Sequence, residues 1–242
     1  MSQVVDLNNG ALAHFLAGDY DNAIRLLLDA INTAKCSHQV PTESFVRYQS
    51  VSRDHRTLPI VNLSIMPGHC VHSSIVKGLS LARSVHSEPL SSEIASQGAH
   101  SMYNRAYILS EHQDSCSLQV KHQQSTCGIL LYNIALMNHN IGIHWGVSAA
   151  LSQALRLYQA SLESLDDQRW RESIDIQKVK LAILNNMGNI HAHLFQFEKT
   201  QKCLNKLRMA LTSMVEMLDE DITFFFLNLL FQGKELLLSP AA

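Results

Sequence analysis

Few residues in this chain stand at the spacing that chemistry requires. "HCVH", residues 69–72, brings together His69, Cys70 and His72, soft ligands of the kind zinc takes. A zinc site needs about four such ligands, and no second Cys-x-x-Cys or His-x-x-x-His lies at a workable distance. His191 and His193 are two apart on a predicted helix, so they point to different faces and cannot chelate together. Cys127 and Cys203 sit on apolar helical faces and read as packing thiols, because reactivity needs an open, electropositive setting. Nothing resembles a nucleophile elbow, a phosphate loop or a zincin helix. The expectation is a protein without catalytic residue, metal or cofactor. What remains is a set of amides in "NNGA" (8–11), "YNIA" (132–135) and "NNMG" (185–188). A side-chain amide donates and accepts at once, so it can pair with the backbone of an extended peptide. The same amides can instead tie one helix to the next, since buried amides commonly serve a fold's own hydrogen bonds.

Composition narrows the partners. The 19 Lys and Arg nearly balance the 21 Asp and Glu, which leaves no cationic footprint for nucleic acid and no polybasic run for anionic lipid. The longest apolar block, "ITFFFLNLLF" at 222–231, is far shorter than the roughly 20 residues of a membrane span. The first residues lack the basic start and apolar core of a secretory signal. Five scattered cysteines fit reduced thiols of the cytoplasm or nucleus better than a disulfide framework.

The elements that must carry the amides are helices. Over residues 4–35, Leu7, Ala11, His14 and Phe15 recur at helical spacing, Gly18 breaks the pattern, and Asp19 is placed to cap a second helix. That helix puts Ala23, Ile24, Leu27, Ala30 and Ile31 on one face. Residues 37–122 are rich in Ser and His and hold four of the five prolines, the composition of a long, mostly disordered insert. Within it, 73–85 is a marginal helix. "SMYNRAYIL", 101–109, has the aromatics and rough alternation of an extended segment lying on the helices. Helical periodicity returns at 126–145, 147–165, 172–195, 197–218 and 220–238.

"AIRLLLDAI" (23–31) returns as "ALRLYQASL" (154–162), and each first helix carries an Asn followed by small residues. The pairs resemble tetratricopeptide repeats. Leu7, Gly10, Ala11, His14, Ala23, Leu27 and Ala30 take the pattern positions in the first copy, with "GDY" (18–20) at the turn. Leu131, Ile134, Ala135, Asn138, Ala154, Tyr158 and Ser161 take them in the second, and Leu184, Met187, Gly188, His191, Thr200, Leu204 and Leu207 in the third. The helix-closing proline is missing from all three, the second copy has a lengthened turn, and the insert interrupts the array. Runs such as "LNNMGNIHAHLF" are also similar to those of helical-repeat proteins of marine microalgae, a likeness that implies the fold and no activity.

The resemblance implies an all-α, degenerate superhelix of antiparallel hairpins: a first hairpin at 1–36, the insert at 37–122, and further pairs plus a capping helix at 123–242, joined as one discontinuous domain. It also implies a concave groove for a partner peptide. By position, that groove is lined by Asn8, Leu12 and Phe15, by Tyr132, Asn133, Leu136 and His139, and by Asn185, Asn186, Asn189 and His193. Family members that hold a terminal carboxylate do so with cations. Asn8, Leu12, Tyr132, Asn133, Ala182 and Asn186 stand at those places here, which favours a neutral or apolar segment. The expected function is a scaffold that binds another protein, with no nucleic acid or membrane partner. The alternative is a regulatory or metal-responsive protein switched through the Ser/His insert.

Overall fold

The computed structural model describes residues 2–36, 46–53, 56–63, 80–82, 101–109, 122–165, 174–214 and 220–238. Among these residues the chain is mostly helical, with seven helices: α1 (Ser2–Leu16), α2 (Tyr20–Cys36), α3 (His122–Trp145), α4 (Ser148–Leu165), α5 (Ile174–His193), α6 (Phe197–Thr212) and α7 (Glu220–Leu238). Between α2 and α3, β1 (Val46–Arg53) pairs antiparallel with β2 (Arg56–Leu63), Val46 opposite Leu63. A short β3 (Ser80–Ala82) pairs antiparallel with β4 (Ala106–Ile108). Of the Ser/His-rich insert, residues 80–82 of the expected marginal helix are strand β3 instead, whereas "HCVH" and the other residues of 73–85 lie outside the described residues.

The helices form antiparallel pairs, α1 with α2, α3 with α4 and α5 with α6, and the turn inside each pair has one design; the extra residues of the second copy extend its helices and do not lengthen its turn as the sequence suggests. Asp19, Val147 and Gln196 donate their backbone N–H to the carbonyls of His14, Gly142 and His191, at 2.9, 3.1 and 2.8 Å. Each bond closes the helix end over a residue in the left-handed conformation: Gly18 (φ 78°), Gly146 (φ 65°) and Phe195 (φ 56°). Glycine enters that region freely, whereas a phenylalanine does so against its own Cβ. Asp19 then caps α2 as expected: its Oδ1 accepts from the backbone N–H of Asn22 at 3.3 Å, and its Oδ2 accepts from the Asn22 side chain at 2.7 Å. The side-chain bond from Asn22, with His14 assisting, holds the Asp19 carboxyl below the usual carboxylate range.

The chain divides into two compact units. The first comprises Met1–Val85 with Arg105–Arg171, and the second comprises His86–Asn104 with Glu172–Ala242. In the first unit Ala23, Ile24, Leu27, Ala30 and Ile31 are all buried, as the helical spacing predicts. The first hairpin packs on α3, and the Tyr20 ring meets Trp145 edge-on at 5.4 Å. Helices α3 and α4 approach closely because Gly128 has no side chain: a Cβ there would lie 2.7 Å from Leu165. The Ser161 hydroxyl donates to the Gly128 carbonyl at 2.6 Å across the same contact.

In the second unit α6 buries Cys203, Leu204, Leu207 and Leu211, one helical stripe. Helix α7 packs against α5 and α6 and buries Ile222, Phe224 and Phe225.

Candidate functional site

In each unit the asparagines meet one short stretch of backbone, residues 101–104 in the second unit and 105–109, with strand at 106–108, in the first. Ser101, Tyr103, Ala106, Tyr107 and Leu109 are buried, whereas Met102, Asn104, Arg105 and Ile108 are only half-buried. Alternate residues are buried at 101 and 103 and again at 107 and 109, as an extended chain's two sides predict, while Ala106 is buried beside Tyr107 and breaks the alternation. The boundary between the two units falls at Asn104–Arg105, inside this stretch.

In the second unit, Asn186 on α5 grips the backbone of Tyr103 with both ends of its amide. Its Oδ1 accepts from the Tyr103 N–H at 2.8 Å, and its Nδ2 donates to the Tyr103 carbonyl at 3.0 Å. Asn228 on α7 grips Ser101 in the same way, at 3.1 and 2.9 Å. Asn185 joins the two grips. It donates to the Ser101 carbonyl at 3.0 Å and to Asn186 at 3.3 Å, and accepts from Asn228 at 2.6 Å.

The first unit repeats the device. Asn133 on α3 accepts from the Tyr107 N–H at 3.0 Å and donates to the Tyr107 carbonyl at 2.9 Å. Asn9 on α1 grips Leu109, at 3.2 and 2.9 Å. Asn8 is again the bridge: it donates to Asn9 at 3.1 Å and to the Tyr107 carbonyl at 3.2 Å, and accepts from Asn133 at 2.9 Å. In both units an Asn-Asn pair on one helix and a single Asn on another hold residues two apart. The chemistry explains the residue choice. In an extended residue the N–H and C=O point to the same side, and one carboxamide offers an acceptor and a donor with matching separation. The grip reads backbone, so it satisfies buried peptide groups whatever side chains they carry.

The side chains between the grips enter aromatic surroundings. Tyr103 lies 5.4 Å from the ring of Phe224 and 4.8 Å from that of Phe225. Its hydroxyl donates to Asp221 Oδ1 at 2.9 Å, and Lys178 Nζ stands 3.9 Å from the other oxygen of that buried carboxylate. Tyr107 meets the Tyr132 ring at 5.2 Å, and the Tyr132 hydroxyl donates to the Arg105 carbonyl at 2.9 Å.

Of the groove residues expected from sequence, Tyr132 and Asn133 reach residues 101–109 in the first unit and Asn186 in the second. Asn8 and Asn185 bridge the grips. Leu136 is fully buried in α3, and His139 is buried with its ring 6.0 Å from that of Tyr158. Leu12 and Phe15 are core residues of α1. Asn189 is half-buried and His193 is exposed. His191 is buried and bonds Gln196 at 3.0 Å, so the two histidines do face apart. Desolvation pushes the His191 imidazole below its ordinary value, with Lys199 adding to the shift and the Gln196 bond opposing it.

Sequence reasoning did not reach Asn9 and Asn228. The signal for Asn228 is a single amide inside the apolar run "FFFLNLLF", and for Asn9 it is the doubled Asn shared by α1 and α5. Among the described residues, no group of three or more His, Cys, Asp or Glu is arranged to hold a metal ion, and no helix is long and apolar enough to cross a membrane.

Fold and site together define a class: helical hairpins that use asparagine carboxamides to grip extended backbone. Compared with protein-family models, with curated proteins and with solved structures, the chain matches none.

Proposed function

We propose that this chain is a non-enzymatic interaction module, a degenerate array of the tetratricopeptide kind that holds an extended segment of another protein in its helical groove. The observation that carries this reading is the two-point grip of Asn186 on Tyr103 and of Asn133 on Tyr107. A surface that satisfies both polar groups of alternate residues suits extended peptides in general, with the intervening pockets supplying selectivity. Clamps made of uncharged amides support a neutral or apolar segment over an acidic one.

Selection from a library of random peptides displayed on phage, against the full chain, tests this reading. Enrichment of neutral, aromatic-containing peptides, lost when Asn186 or Asn133 is changed to Ala in variants that keep their helical signal, is the expected result. No enrichment, or enrichment indifferent to both changes, refutes it.

A further inference from the structure

The residues that fill the second unit's clamp also describe what else would fill it. We propose that residues 101–104 are an intramolecular stand-in for the ligand. On this view, which rests on the function proposed above, the second unit's partner is an extended segment of another protein that carries a small residue and, two positions later, a tyrosine. The chain's own copy competes with it for the same asparagines.

Three observations select this chemistry. At the Ser101 register the occupant is small: Ser101 is fully buried, with Asn185 and Asn228 both donating to its backbone carbonyl. Among the described residues its buried hydroxyl has no hydrogen-bond partner, so the register asks for size and not for a hydroxyl. At the next inward register the demand is the opposite. Tyr103 fills an aromatic pocket beside Phe224 and Phe225, and its hydroxyl meets a buried carboxylate, Asp221. A phenylalanine would fit the space and leave Asp221 without that donor, so the pocket distinguishes tyrosine from phenylalanine. Between the two, Met102 is half-exposed and is open to variation.

The occupant is replaceable in principle because its grip is made of backbone groups. The asparagines bind the N–H and C=O of Ser101 and Tyr103, which any segment supplies. The helices of the unit also have a core of their own, with Leu204, Leu207 and Leu211 of α6 buried and α5 paired directly with α6. A tethered occupant acts at an effective concentration on the order of millimolar. A free peptide of about 10 μM intrinsic affinity therefore binds the intact chain roughly 100-fold more weakly than it binds an emptied clamp.

The test uses fluorescein-labelled AHSMYN, the sequence of residues 99–104, titrated by anisotropy against the full chain and two release variants, Tyr103→Ala and Ser101→Arg. The release variants are expected to bind the peptide at least tenfold more tightly than wild type. A peptide with Phe in place of its Tyr binds them about tenfold or more less tightly. Folded release variants that bind no better than wild type overturn the proposal. If both variants lose their helical signal, wild type itself is titrated to millimolar peptide: saturable binding of the native sequence but not of a scrambled one supports the proposal, and its absence overturns it. Failure here alongside a successful library selection removes the stand-in role and leaves the groove reading in place, whereas failure of both removes both.

Discussion

Changing Asn133 to Ala should destabilise the first unit far more than the same change five residues away at Asn138, although both side chains are fully buried on α3. Asn133 makes three hydrogen bonds: it accepts from the Tyr107 N–H, donates to the Tyr107 carbonyl, and donates to Asn8 Oδ1. After truncation the Tyr107 carbonyl keeps Asn8 at 3.2 Å, but the Tyr107 N–H and the Asn8 oxygen lose these partners in a buried place. At about 1–3 kcal/mol for each of the two groups, the loss is about 2–6 kcal/mol. Among the described residues, Asn138 donates only to the Ile134 carbonyl of its own helix, and its buried Oδ1 has no partner. Removing that amide deletes a desolvated oxygen along with one weak bond, so Asn138→Ala should stay within about 1 kcal/mol of wild type. Urea unfolding followed by circular dichroism measures both, the midpoint reporting stability while the slope is unchanged. Equal losses for the two variants would refute the claim that the Asn133 carboxamide carries the backbone of Tyr107.

Three further outcomes follow from single residues. Burial lowers the His191 pKa, so the unfolded chain binds protons that the folded one refuses. His191 therefore favours folding fully above about pH 6.5, and that contribution falls as pH drops below it. The urea midpoint should fall between pH 7.5 and 5.5, and less so in His191→Gln; identical slopes against pH would show the imidazole to be irrelevant. Phe195 adopts a left-handed φ of 56° with 79 % of its surface exposed, so Phe195→Gly should raise stability by up to about 1 kcal/mol, and a lower melting temperature would contradict this. Ser101→Ala removes an unpartnered buried hydroxyl and should leave stability equal or higher by thermal melting, a loss of more than about 1 kcal/mol counting against the assigned register.

Much of the helical framework was legible because a helix writes its contacts at short spacing. The face of α2, the turn at Gly18–Asp19 and the cap by Asp19 all follow from neighbours within five residues. The amide-bearing faces at Asn133 and Asn186 were legible for the same reason, and so was a strand at 106–108 within the expected extended segment. What pairs with those amides was not. Asn9 meets Leu109 across 100 positions and Asn228 meets Ser101 across 127, and no local period encodes contacts of that range. Asn228 is further concealed because seven apolar neighbours in "FFFLNLLF" dominate any reading of the helix as a covering face. Leu136 and His139 illustrate the reverse. Their helical positions place them on an apparent groove line, yet both side chains are fully buried. Position within a repeat gives the face of a helix and leaves open which neighbour covers it.

The central claim is that residues 101–109 are held by their backbone, and amide hydrogen exchange read residue by residue addresses it most directly. The N–H groups of Tyr103 and Tyr107, bonded to Asn186 and Asn133 at 2.8 and 3.0 Å, should exchange at least about a hundredfold more slowly than in an unstructured peptide. Asn186→Ala should release Tyr103 in particular. Exchange of both amides at free-peptide rates in the wild-type chain would contradict the account.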